Sequence, residues 1–74
     1  MKAYVLITAE VGKSPSIQET LRTAGIHQVD AVAGTYDLVA VLEAEDPKRL
    51  GELVMGMIQR TDGVLSTVTL LSIG

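Results

Sequence analysis

IHQVDAVAGTYDLVAVLEA, residues 26–44, is the stretch that decides the fold. Gly34-Thr35-Tyr36-Asp37 separates two runs that read as strands, residues 26–33 and 38–44. Gly34 supplies the positive φ that a tight reversal often needs, and the Asp37 carboxylate can bond nearby backbone. The stretch reads as a β-hairpin. Everything else is laid out symmetrically around it, with a strand and a helix before and a helix and a strand after. A hairpin needs no Tyr at its tip, yet Tyr36 is one of only two aromatic residues in the chain. The turn is therefore also the first place to look for function.

Upstream, residues 3–9 (AYVLITA) form an apolar β-favouring run. It presents Ala3, Val5, Ile7 and Ala9 on one face and Tyr4, Leu6 and Thr8 on the other. Ser14-Pro15 reads as an N-cap followed by the first helical position, with Ser16 and Glu19 as an alternative capping box. Ile17, Leu21 and Ala24 give that helix one apolar stripe, and Gly25 closes it. Downstream, Asp46-Pro47 repeats the cap-then-proline start. Leu50, Leu53, Val54, Met57 and Ile58 fall at i, i+3, i+4, i+7 and i+8, a full amphipathic stripe. Gly51 and Gly56 lie off it and each costs about 1 kcal/mol relative to Ala. Asp62-Gly63 stops the helix, and residues 64–73 form the last strand.

The order is βαββαβ in one domain, residues 1–74. Two right-handed βαβ-type halves side by side give an α+β, ferredoxin-like fold: a four-stranded antiparallel sheet with both helices on one face. Strand two alternates Val29, Ala31 and Ala33 with Gln28 and Asp30. Strands one, three and four are apolar on both faces, which an antiparallel sheet with a solvated face is not. The expectation is dimerisation through the open sheet face, as a dimeric α/β barrel.

Composition points the same way. Hydrophobic residues make up 47% of the 74 residues against 20% charged, and a chain this small buries only about 60% of its unfolded surface. Self-association takes up the surplus. Six basic residues against nine acidic give a net charge of -3, without the basic stripe of a nucleic-acid-binding module. There is no Cys, so disulfides and thiolate metal sites are excluded. No apolar run is long enough for a membrane span, and the N-terminus does not read as a signal peptide. A cytoplasmic protein is expected, with no membrane or nucleic-acid contact of its own.

Few sites for chemistry survive. An RNA-binding sheet needs two or three stacking aromatics, and only Tyr4 lies on a strand. Gly12-Lys13-Ser14 ends like a phosphate-binding loop, but that motif's first glycine falls at Ile7. His27, the only histidine, has no second His or Cys with which to complete a site. The acids Glu43, Glu45 and Asp46 read more simply as complements to a helix dipole. Thr67 and Thr69 share a face of strand four; they are either β-propensity or two hydroxyls aimed at a polar small molecule. Tyr36-Asp37 is either turn chemistry or a platform with a carboxylate for an ammonium group. No nucleophile–base pair emerges, so catalytic residues, metal and cofactor are all expected to be none.

Gly34-Thr-Tyr-Asp-Leu38 running into an apolar strand, then Asp62-Gly-Val64 followed by Thr67-Val-Thr69, resembles the C-terminal effector domain of Lrp/AsnC-type transcription regulators, the RAM domain. The resemblance covers essentially the whole chain. It implies the βαββαβ fold, sheet-to-sheet dimers, and rings of dimers, commonly octamers or decamers, with amino acids bound between dimers. Carried over by position, Gly34, Thr35, Tyr36, Asp37, Thr67 and Thr69 would line that cleft. Backbone N–H groups near the turn would hold the α-carboxylate and Asp37 the α-ammonium. Such regulators place a helix-turn-helix domain ahead of this module, whereas here residue 1 already begins strand one. The expectation is a stand-alone effector domain that senses an amino acid or co-assembles with full-length regulators. The alternatives are an ACT-like regulatory module, a small dimeric α/β-barrel enzyme using His27, and a structural assembly partner without a ligand.

Overall fold

The computed structural model describes all of residues 1–74. Its elements are β1 (Lys2–Ala9), α1 (Ser14–Thr23), β2 (Val29–Ala31), β3 (Leu38–Glu43), α2 (Pro47–Leu53), a π-helical turn (Val54–Ile58) continuing α2, and β4 (Val64–Leu71). The strands form one sheet in the order β2-β3-β1-β4, with every neighbouring pair antiparallel. This is the ferredoxin-like arrangement the periodicity predicts.

The side-chain period of two sorts the sheet into faces. Ala3, Val5 and Ile7 of β1 are fully buried, together with Leu38, Ala40 and Leu42 of β3 and Val29 of β2. Over them lie Ile17 and Leu21 of α1, and Leu50, Val54 and Ile58 from α2 and its π turn. The opposite face carries Tyr4 and Leu6 of β1, their β3 partners Val41 and Val39, and their β4 partners Leu70 and Val68. No helix covers these six apolar side chains; Tyr4, Val68 and Leu70 are 36%, 41% and 49% exposed.

Local chemistry explains where the helices begin and end. Asp46 caps α2, its Oδ1 accepting from the Arg49 N–H at 2.8 Å, with Pro47 in the first turn. α1 ends as a Schellman motif: the Ile26 N–H donates to the Leu21 carbonyl and the Gly25 N–H to that of Arg22. Its apolar contact is the buried pair Leu21 and Ile26.

Two local expectations are corrected. Ser14 does not cap α1; Lys13 holds that position without a side-chain cap, and Ser14 is already helical. The Lys13 N–H is used in a turn back to the Glu10 carbonyl, so the helix starts one residue early. The Ser16 hydroxyl donates to the Lys13 carbonyl, so no capping box forms. Strand two is also shorter than residues 26–33, pairing regularly only over Val29–Ala31.

The two sheet edges differ. Bonded pairs alternate along antiparallel strands, and the Val41 N–H donates to the Gln28 carbonyl. The backbone groups of Val29 therefore point out from the β2 edge while its side chain stays buried, and its carbonyl accepts from Gln18 Nε2 (2.7 Å) and Arg22 Nη2 (3.2 Å) of α1. That edge is closed by its own helix. On β4, the Ser72 N–H donates to the Lys2 carbonyl, so the same alternation turns the backbone of Thr67, Thr69 and Leu71 outward, and that edge is open.

Candidate functional site

The 34–37 turn is built on the far ends of β1 and β3. Gly34 has φ +144°, the positive φ expected of it. Asp37 then clamps three segments together. Its N–H donates to the Ile7 carbonyl and its carbonyl accepts from the Val32 N–H, both at 2.9 Å. Its Oδ2 accepts from the Ala9 N–H at 2.8 Å. The carboxylate thus satisfies a donor that the end of the ladder leaves over, and its other oxygen takes no bond from the chain. The N–H groups of Ala33, Gly34, Thr35 and Tyr36 likewise donate to no acceptor within the chain. Tyr36 and Asp37 are half-buried, while Gly34 and Thr35 are exposed. Four free donors and one free carboxylate oxygen can meet an α-carboxylate and an α-ammonium.

Thr67 and Thr69 lie on the helix-covered side of the sheet, opposite Ile7 and Val5 of β1. The two hydroxyls do not act as a pair. Thr67 Oγ1 accepts from Gln59 Nε2 at 2.9 Å. Thr69 lines an apolar groove of about 430 Å3 between α2 and the open β4 edge, with Leu50, Val54, Met55 and Leu71. Within one chain the turn and the threonines line no common cleft.

The Asp62-Gly63-Val64 step has a packing reason. A Cβ on Gly63, at φ +96°, would stand 2.7 Å from Lys13 Cβ and 3.3 Å from Ile17 Cδ1. The Gly63 carbonyl also accepts from the Glu10 N–H at 2.8 Å, and Lys13 Nζ lies 3.4 Å from Asp62 Oδ2. This glycine seats β4 against the start of α1.

His27 sits at the opposite end of the sheet, in a cleft with Lys2, Glu43 and Arg49. Sequence reasoning left these four residues unconnected, because they come from β1, the α1–β2 connection, β3 and α2. No group of three or more His, Asp or Glu side chains is placed to hold a metal. No helix is long and apolar enough to cross a membrane.

The family described as Lrp/AsnC ligand binding domain matches residues 2–74. An uncharacterized HTH-type transcriptional regulator of Pyrococcus horikoshii, PH1916, is 31% identical over 55 residues, covering 74% of this chain. The match spans only 37% of that regulator's length. The crystal structure of TTHA0845 from Thermus thermophilus superposes with a TM-score of 0.91 at 31% identity, covering 99% of this chain and 92% of that one. A complex of the Neisseria meningitidis transcriptional regulator NMB0573 with L-Met shares the fold at TM-score 0.72 and 15% identity, over 97% of this chain and 50% of that one. A ferredoxin-like sheet and a family match along its whole length place this chain in the Lrp/AsnC ligand-binding domain family.

Proposed function

We propose that this chain is a non-catalytic effector module of transcription regulation, working in the cytoplasm as a homo-oligomer that binds an amino acid between subunits. The observation that carries the oligomer is the uncovered face of Tyr4, Leu6, Val39, Val41, Val68 and Leu70. A two-fold axis through that face pairs it with its own copy, the commonest form of soluble oligomer. Such dimers then assemble further, into an octamer or decamer, and the same face can admit a full-length regulator that carries this module.

An amino acid is the ligand class favoured by the free donors of the turn, and the L-Met complex of a regulator with this fold supports it. In this reading the N–H groups of residues 33–36 hold the α-carboxylate. Asp37 receives the ammonium on the oxygen that Ala9 leaves free, and Tyr36 covers the ligand. Thr67 and Thr69 come from a neighbouring subunit, whose β4 edge reaches the turn. Any ligand-driven change of assembly then requires tighter binding to one assembly state than to another.

Calorimetry of the assembled protein with each of the twenty amino acids tests this. One or a few should bind saturably, and Tyr36→Ala should abolish the response without dissociating the protein. Indifference to all twenty at millimolar concentration would remove the sensing role.

A further inference from the structure

The uncovered face of the sheet has a polar margin as well as an apolar centre. Register puts Glu43 of β3 opposite Lys2 of β1, and Ser66 of β4 opposite Thr8, all on the side that carries Tyr4 and Leu6. On β2, Asp30 lies opposite Val39 and shares that side, while Val29 is buried on the other. Gln28, whose carbonyl accepts from the Val41 N–H, comes two residues before Asp30 and points the same way. Lys2, Glu43 and Asp30 thus border the six apolar side chains, and all three are exposed. None of them enters either ion pair of the chain, Lys13–Asp62 or Arg49–Glu52. The Lys2 ammonium lies instead 5.3 Å from the centre of the Tyr4 ring, at the rim of the apolar block.

A two-fold axis lying between two facing sheets brings together only side chains that stand equally far from the centre of the contact. The apolar block is centred on β1 at Val5, between Tyr4 and Leu6. Lys2 lies three residues from that point, about 10 Å at ~3.3 Å per residue. Asp30 lies one residue along and two strands across, again about 10 Å with strands ~4.8 Å apart. The two distances match. An axis that sets Lys2 over Asp30 of the partner subunit runs at about 55° to the strands, so the sheets cross at about 70°, near the orthogonal class of sheet packing. The same axis passes over Val68 and sets Glu43 within about 2 Å, in projection, of Gln28 of the partner subunit. Thr8 and Ser66 then fall beyond the edge of the facing sheet, in water. Other axes do worse. One along the strands sets Lys2 over its own copy, and like charges facing each other repel. One across the strands sets Lys2 over Thr8 and Asp30 over Gln28, and pairs no opposite charges.

We infer that two rim ion pairs, Lys2 of each subunit with Asp30 of the partner subunit, set the crossing angle of the face-to-face dimer and select which chains can join it. The inference rests on the sheet-face dimer proposed above. The apolar block supplies the attraction, and the pairs specify the register, which is where charges at an interface act most strongly. A regulator carrying this module enters the same interface only with a base at the position of Lys2 and an acid at that of Asp30.

The test is a charge exchange in the whole chain, read by sedimentation velocity at low salt. Both positions are exposed, so Lys2→Glu and Asp30→Lys leave the core intact. Each variant alone sets like charges together twice per dimer, and should associate roughly tenfold more weakly than the natural protein, or worse. An equimolar mixture of the two variants puts the two replaced side chains opposite each other and keeps the other natural pair. The mixture should regain association near the natural strength, as a mixed dimer. Single variants that associate as tightly as the natural chain would overturn the inference, as would a mixture no stronger than its parts. A natural chain that stays a single subunit would remove the sheet-face dimer itself, and the ion pairs with it, so the two failures are told apart.

Discussion

Asp37 holds the end of the sheet whether or not a ligand is present, because its Oδ2 accepts from the Ala9 N–H. Asp37→Ala should cost about 1–3 kcal/mol in urea unfolding, since it leaves a part-buried donor unpaired. Asp37→Asn keeps a carbonyl oxygen for Ala9 and should cost less. That variant separates the two roles. If it stays folded and loses amino-acid binding, the carboxylate charge meets the ammonium; undiminished binding would leave Asp37 as a clamp only. Gly63 is a second residue whose importance is steric. Gly63→Ala forces an L side chain to φ +96° with its Cβ 2.7 Å from Lys13 Cβ, and should cost about 1–3 kcal/mol, measured the same way.

At the scale of elements, the apolar stripe Leu50, Val54, Ile58 holds the second helix down despite two glycines and a π-helical turn. An added Cβ at Gly51 meets nothing within 4 Å. Gly51→Ala should therefore stabilise the fold by about 0.4–1 kcal/mol, by narrowing the unfolded chain's freedom; an unchanged or lowered melting temperature would contradict this. The helices and strands were legible because each carries its own period and punctuation: Asp46-Pro47 caps as it reads, and Gly25 closes α1 as it reads. Strand two was overextended, because the alternation at residues 28–33 does not reveal that regular pairing with β3 stops at Ala31, where the chain leaves the ladder for the turn. The use of the Asp37 carboxylate was hidden for a related reason. Its partner Ala9 is 28 residues away, and no local pattern links them. His27 and Arg49 line one cleft only once the fold has brought the segment after α1 and the start of α2 to the same end of the sheet. The turn residues stood out in the sequence as a site, but their free N–H groups become countable only when every other donor has been assigned.

At the scale of the molecule, the sheet has one covered and one uncovered apolar face, one closed and one open edge. In the proposed assembly these asymmetries are where further subunits attach, which would account for 47% hydrophobic residues in so small a chain. Val68 stands on the uncovered face of β4 and is 41% exposed, so Val68→Lys places a charge in the proposed interface with little effect on the single subunit's core. The most direct test is the mass in solution by light scattering, for the natural chain and for Val68→Lys. The account predicts an even multiple of the 7.8 kDa chain for the natural protein and a shift towards single subunits for the variant. A natural protein that runs as a single 7.8 kDa subunit at micromolar concentration would contradict it.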